Sequence, residues 1–219
     1  AAFFKVFFTT PTAVLLLLAF FCANSVAIIL LVWMPSFVLE TIYGGDIAML
    51  PIAGTLATLP LQIASMFGSP TGGFLADSFR SRTPRGRILV QMSGVLCAVP
   101  FVYLCGHAHA IIVLVVALAG WGLFKGMYDS NIFAAAYDVI RPDLRGMAAG
   151  FMNMFGWAGG AIAPIVAGHI ADSHKSEGLG YAISNTSLAY IVSGLLLFTA
   201  AMLFVKRDAA RMQAQLETK

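Results

Sequence analysis

The chain has 219 residues, 59% hydrophobic and 11% charged, whereas an average soluble domain runs at about 45 to 50% and about 25%, which excludes an ordinary soluble globule. Six bilayer-spanning helices of about 25 residues would use roughly 150 positions and leave about 70 for loops and tails, so the length fits a polytopic helical membrane protein. The net charge of +3 comes from basic residues dispersed in short loops with no aromatic-interleaved basic face, and no nucleic-acid partner is expected. A transmembrane barrel is excluded too, because Ala110 to Gly120 is apolar on every face instead of alternating.

In chain order, Phe3, Phe4, Lys5 and Phe7 before Thr10-Pro11 read as the end of an interfacial connector over 1–9. With Ala-Ala and no Met at its start, the segment reads as a piece of something longer. Six apolar runs follow, roughly Thr10 to Phe37, Ala48 to Asp77, Arg87 to Gly106, Ala110 to Val139, Arg145 to Ala171 and Leu179 to Val205. The first is long enough to stay in the membrane and carries no cleavage site, so no removable signal peptide is read. A basic tail spans 206–219.

Of the 13 Lys and Arg, eleven fall on one side: Lys5, Arg80, Arg82, Arg85, Arg87, Arg141, Arg145, Lys206, Arg207, Arg211 and Lys219. The other side has Lys175 with Glu40, Asp46 and Glu177. The positive-inside rule then places both termini in the cytoplasm, with the chain in the plasma (inner) membrane. Cys22, Cys97 and Cys105 form no CxxC pair, and the first two sit inside apolar runs. They read as core thiols, with no disulfide frame and no metal site.

The second run ends Gly73-Phe74-Leu75-Ala76-Asp77 and the fifth ends Gly168-His169-Ile170-Ala171-Asp172, with Met66-Phe67-Gly68 and Met154-Phe155-Gly156 upstream. Each echo occupies the middle of a set of three spans, and because three is odd the two sets are inverted in the membrane. The expected fold is therefore an all-α membrane protein with six helices as a 3+3 inverted repeat, 10–106 and 107–205. Glycine and proline concentrate in the second and fifth runs, where small residues let backbones touch. Tight packing accounts for them, and so does a helix that must slide; the sequence alone leaves both open.

The motif Gly73 to Asp77, followed by Arg80, Arg82, Arg85 and Arg87, resembles the GxLaD loop signature of the major facilitator superfamily, between the second and third helices of a six-helix half. Ser78 stands where that family usually has a basic residue, and Arg80 where glycine is usual. The resemblance implies a cytoplasmic charge cluster of Asp77, Arg80 and Arg82, joined by Asp138 at the end of the fourth helix and by Arg145; the plainer alternative is a loop of solvated charges. It covers the whole chain and implies the C-terminal half of a twelve-helix transporter, with an N-terminal six-helix half as its missing partner. Trp33-Met34-Pro35-Ser36 resembles the W-x-P-[ST] pattern of anion:cation symporters and sugar-phosphate or sugar-acid permeases. Arg145 to Gly150, with Ala163-Pro164, is shared as well with Spinster-like lipid transporters.

Lys125 lies about 15 residues into the fourth run, roughly 22 Å into a hydrocarbon core of about 30 Å, and Asp129 is one turn on. Each charge costs about 2.5 to 3.5 kcal/mol near a helix centre, so neither is expected to face lipid. The family resemblance puts the first and fourth helices on the central cavity, which makes Lys125 and Asp129, with Tyr128 beside them, candidates for substrate contact. Asn24 and Gln62 join them as mid-span polar residues. Asp129 is the candidate for coupling, since an apolar surround and a neighbouring ammonium act on its proton in opposite senses. The structural alternative is a self-neutralising pair that pins a neighbouring helix. His107, His109, His169 and His174 map to external ends.

The function read from these residues is half of a secondary active transporter for a small organic anion, such as a sugar acid or sugar phosphate, working by alternating access with a proton or sodium ion as coupling partner. The alternatives are a Spinster-like lysophospholipid or sphingolipid carrier half and a non-transporting scaffold. An enzyme is not expected, because HExxH, GxSxG and phosphate-loop patterns are missing from the sequence, and no cofactor is expected.

Overall fold

A computed structural model describes residues 2–174 and 178–217. Lys175, Glu177 and Lys219, counted above among the loop and tail charges, lie outside the described residues. A short helix α1 (Ala2–Phe8) leads into α2 (Pro11–Tyr43), α3 (Leu50–Arg80) and α4 (Gly86–Cys105). Then come α5 (Ile111–Asp129), α6 (Ile132–Tyr137), α7 (Arg145–Ser173), α8 (Gly178–Asn185), α9 (Ser187–Thr199) and α10 (Val205–Glu217). A π turn, Ala200–Phe204, joins the last two. Six helical stretches among the described residues are long and apolar enough to cross a membrane, as the hydropathy predicts.

Local chemistry sets several ends. Pro11 opens α2, where its missing N–H costs nothing. Thr10 gives α2 no side-chain cap, and its first turn is capped from a distance: Thr12 donates its backbone N–H (3.0 Å) and its hydroxyl (2.7 Å) to Asp208 of α10. At the other end Gly44 takes a left-handed φ of 62°, the conformation that closes a helix most cheaply with glycine.

Two spans depart from the sequence expectation of continuous helices. The fourth stops at Asp129 and restarts at Ile132, and the sixth breaks at Thr186, whose N–H and hydroxyl both turn back to the Ile183 carbonyl (3.1 and 2.6 Å). The basic tail also differs from a loose end, because 205–217 continue as α10 and bury Asp208 against α2. Cys97 is corrected too: it is exposed on α4, whereas Cys22 is half-buried and Cys105 buried.

The most extensive contacts are α3 with α5 and α2 with α7. Exchanging the first span with the fourth and the second with the fifth turns one pair into the other, as a 3+3 inverted repeat requires. In the α3–α5 seam, a methyl group on Gly68, Gly72, Gly122 or Gly126 would fall within 3.0 Å of the opposite backbone. In the α2–α7 seam, Gly156 and Gly160 instead meet side-chain atoms of Phe20 and Ile28, and Gly159 meets the Ser25 hydroxyl and, at 3.0 Å, both the Phe21 ring and the Phe21 backbone carbonyl. Gly73, the glycine of the loop motif, has nothing within 4 Å, whereas Gly72 and Gly68 make the close approach to α5. The least covered spans are those of α3 and α7, with 17% and 28% of their apolar windows buried against 39 to 44% elsewhere.

Candidate functional site

At the end of the bundle where α3 meets α4, Arg87 joins two carboxylates. Its Nη2 donates to Asp77 Oδ1 at 2.8 Å and its Nη1 to Asp138 Oδ1 at 3.3 Å and to the Ala134 carbonyl at 3.2 Å. Arg80 Nε donates to the other oxygen of Asp138 at 3.0 Å. The two acids differ sharply in exposure, 12% for the Asp138 side chain and 70% for Asp77. Exposed pairs contribute about 0 to 1 kcal/mol, whereas removing a buried partner costs more because it strands the charges it held; Asp138, which holds two guanidinium groups, is the centre of the cluster.

Arg82 is exposed and makes no ion pair among the described residues. Arg145 caps α6, donating to the carbonyls of Tyr137 (2.9 Å) and Ile140 (3.4 Å) and lying over the Tyr137 ring at 5.6 Å. Arg87, the bridging residue, was one of four loop arginines in the sequence reading. Its place in the first turn of α4, on a fixed helix, is the signal that separates it from Arg82.

Halfway along the fourth span, Lys125 donates to Asp129 Oδ2. Gly122 and Gly126 meet the α3 backbone, while Phe124 and Tyr128 meet α4 at Gly94. Lys125 and Asp129, at i+3 and i+7 from Gly122, lie beside the glycine face, with side chains 24% and 36% exposed. Tyr128 is buried, with its Cβ against Gly94 of α4.

Asn24 gives its amide to the Gly156 carbonyl at 2.8 Å, joining α2 to α7. Gln62 is exposed on α3. Of the five residues grouped from the sequence, the structure pairs Lys125 with Asp129 and gives Asn24 and Tyr128 packing neighbours elsewhere. Trp33 of the W-x-P-[ST] pattern donates its indole N–H to the Pro164 carbonyl at 2.9 Å. Asn24 and Trp33 are therefore two rungs between the same helices.

A cavity of about 810 Å³ lies at the opposite end from the charge cluster, lined by Trp33, Phe37, Glu40, His107, His109, Asp172 and Tyr181. It is not the Lys125 site, since Lys125 is 14 residues from the start of α5 near that end, roughly 21 Å at 1.5 Å per residue. The glutamate, aspartate and histidine side chains on its wall are exposed. His107 stacks on Tyr103 with ring centres 4.5 Å apart, and His174 on Tyr181 at 4.0 Å.

Six membrane helices in two inverted sets of three, with an aspartate–arginine cluster after the second, define one half of a secondary-transporter fold. The chain belongs to the Major Facilitator Superfamily, whose family model matches residues 1–164. It is 27% identical to vesicular glutamate transporter 1 of Bos taurus over 192 residues, 84% of this chain and 32% of that protein. It is also 27% identical to the probable sulfoacetate transporter SauU of Cupriavidus necator over 175 residues, 77% of this chain and 38% of that one. With the hexuronate transporter of Bacillus subtilis it shares 27% over 161 residues, 70% and 36% of the two chains.

The chain thus spans about a third of the length of these curated relatives. A crystal structure of a bacterial homolog of the human lysosomal transporter Spinster, inward-facing and unoccupied, superposes with a TM-score of 0.79 at 16% identity. That match covers 94% of this chain and 50% of the other, and at this identity the likeness is one of fold.

Proposed function

We propose that this segment is the C-terminal half of a secondary active transporter that moves a small organic anion by alternating access, coupled to a proton or sodium gradient. The observation that carries the proposal is Lys125, a cation halfway along a span whose side chain is paired with Asp129 and still 24% exposed. The names of three relatives, for glutamate, sulfoacetate and hexuronate, support a carboxylate- or sulfonate-bearing substrate. Lys125 supplies the positive charge for it, and Asp129 pairs with Lys125 when the site is empty and takes up a proton in the cycle. Asn24, Gln62 and Tyr128 complete the proposed wall, Asn24 and Tyr128 by holding α7 and α4 in place.

In this reading both ends of the segment are cytoplasmic, in a plasma (inner) membrane, and the two repeats divide at 106/107. The Asp138, Arg87, Arg80 and Asp77 cluster braces the cytoplasmic ends of α3, α4 and α6. An N-terminal six-helix half covers the apolar faces of α3 and α7. A lipid carrier would need a wide apolar site, and an ion pair on the proposed wall favours the anion.

The test uses the full-length carrier in proteoliposomes, with labelled glutamate, glucuronate and sulfoacetate as probes. Lys125→Ala is expected to abolish accumulation of whichever anion the parent takes up, and Lys125→Arg to retain part of it. Undiminished uptake by a folded Lys125→Ala variant removes the proposal.

A further inference from the structure

The fourth span breaks where the sequence supplies no breaker: Tyr128-Asp129-Ser130-Asn131-Ile132 contains neither proline nor glycine. The backbone shows how the break is stabilised. In a continuous α-helix the N–H of residue 131 would go to the carbonyl of residue 127. Here it goes to Tyr128 at 3.1 Å, one residue short, while Ser130 still reaches Gly126 at 3.2 Å.

The Met127 carbonyl so released accepts instead from the Asn131 side chain, whose Nδ2 lies 3.1 Å away, with the Ser130 hydroxyl at 3.2 Å. The same Nδ2 reaches the Gly72 carbonyl of α3 at 3.2 Å. Gly72 is a point of backbone contact between the helices, where a methyl group would overlap Met127 itself. Asn131 is 2% exposed, so no water replaces what its amide gives. One side chain therefore satisfies the end of α5, replaces the helical hydrogen bond lost there and ties that end to α3.

We propose that Asn131 is a positioning residue: its amide ends α5 at Asp129 and pins that end to α3 at Gly72, which fixes the face on which Lys125 and Asp129 are presented. Without the amide, the Met127 and Gly72 carbonyls compete for weaker donors, and the cheapest repair is to run α5 on into α6 with regular hydrogen bonds. That repair changes the helical phase from residue 130 onward and shifts the end of α5, with Asp129 and the Lys125 side chain paired to it, relative to α3. The consequence for transport rests on the reading of Lys125 as the anion site, but the geometric claim does not.

The experiment therefore measures geometry first. In a full-length carrier lacking its native cysteines, a cysteine replaces Lys125, and a second protein carries one at Gln62 as a control on α3. The probe is a water-soluble, membrane-impermeant thiol reagent applied to the purified protein. Asn131→Leu is expected to slow labelling at 125 at least tenfold relative to the control, and Asn131→Asp, a near-isostere that loses the donor, to do the same. Asn131→Gln, which keeps an amide, should return the rate to within about threefold of the parent.

Asn131→Asp carries the test if the leucine variant does not fold. A lower melting temperature with an unchanged ratio of labelling at 125 to labelling at 62 would mark Asn131 as packing alone and overturn the proposal. Uptake separates the two claims: normal uptake by Lys125→Ala removes the anion site and leaves the labelling result standing. Abolished uptake in Lys125→Ala together with unchanged labelling in Asn131→Leu and Asn131→Asp removes the positioning role alone.

Discussion

The two helix pairs that the inverted repeat relates, α3 with α5 and α2 with α7, are built differently. The first is closed by four glycines whose missing side chains are filled by opposing backbone, so any side chain added there meets main chain that cannot change rotamer. In the second, Gly156 and Gly160 meet the Phe20 ring and the Ile28 side chain, Gly159 alone of the three also meets backbone, at Phe21, and the helices are joined by two side-chain donors, Asn24 to Gly156 and Trp33 to Pro164. Side chains can change rotamer and hydrogen bonds can exchange partners, whereas backbone cannot. The two seams thus share one arrangement, while the first, closed by backbone, is the more rigid and the second, closed largely by side chains, the more adjustable.

The comparison breaks most visibly at the rigid seam. Gly68→Val or Gly72→Val should cost about 3 kcal/mol or more by overpacking, read as a large fall in melting temperature of the detergent-solubilised carrier. A companion Leu123→Ala should not restore Gly68→Ala, because the obstruction is backbone. Asp138→Ala extends the test to the cluster that ties α3 and α4 to the end of α6. It leaves Arg80 and Arg87 facing each other without their buried acid and should cost about 2 to 4 kcal/mol in the same assay.

Effects at the adjustable seam should be smaller and correctable. Gly156→Ala is expected to cost about 1 kcal/mol, and a double-mutant cycle with Phe20→Leu should recover most of it, since a leucine vacates the space the ring fills. Additive losses there would erase the distinction between the seams. Asn24→Leu removes one interhelical hydrogen bond, at about 0.6 to 2 kcal/mol. Asp77→Ala should be smallest, about 0 to 1 kcal/mol, because that carboxylate is mostly solvated; a loss as large as that for Asp138→Ala would reverse the order assigned to the two acids.

Much of this architecture was legible beforehand, for reasons the same residues explain. Apolar runs must be helices in lipid because every backbone group needs an internal partner, and three spans per repeat made inversion unavoidable. The i,i+4 spacing of Lys125 and Asp129 foretold their pairing. Helical phase against a neighbour is not written in one helix, and nothing in the sequence tells Gly72, which touches Met127, from Gly73, which touches nothing. The break at Asn131 was hidden because a side-chain amide, not a proline or glycine, replaces the lost hydrogen bond. The cap that Asp208 supplies to Thr12 joins residues 196 apart and belongs to tertiary structure alone.

The central claim is that Lys125 and Asp129 carry the anion and its coupling rather than merely neutralise each other. It is tested most directly by proton-gradient-driven uptake in the full-length carrier bearing Lys125→Ala and Asp129→Asn together, at a melting temperature matching the parent. The account predicts no accumulation of the parent's anion and no response to the imposed pH gradient. A folded double variant that transports at the parental rate with the parental pH response would contradict it.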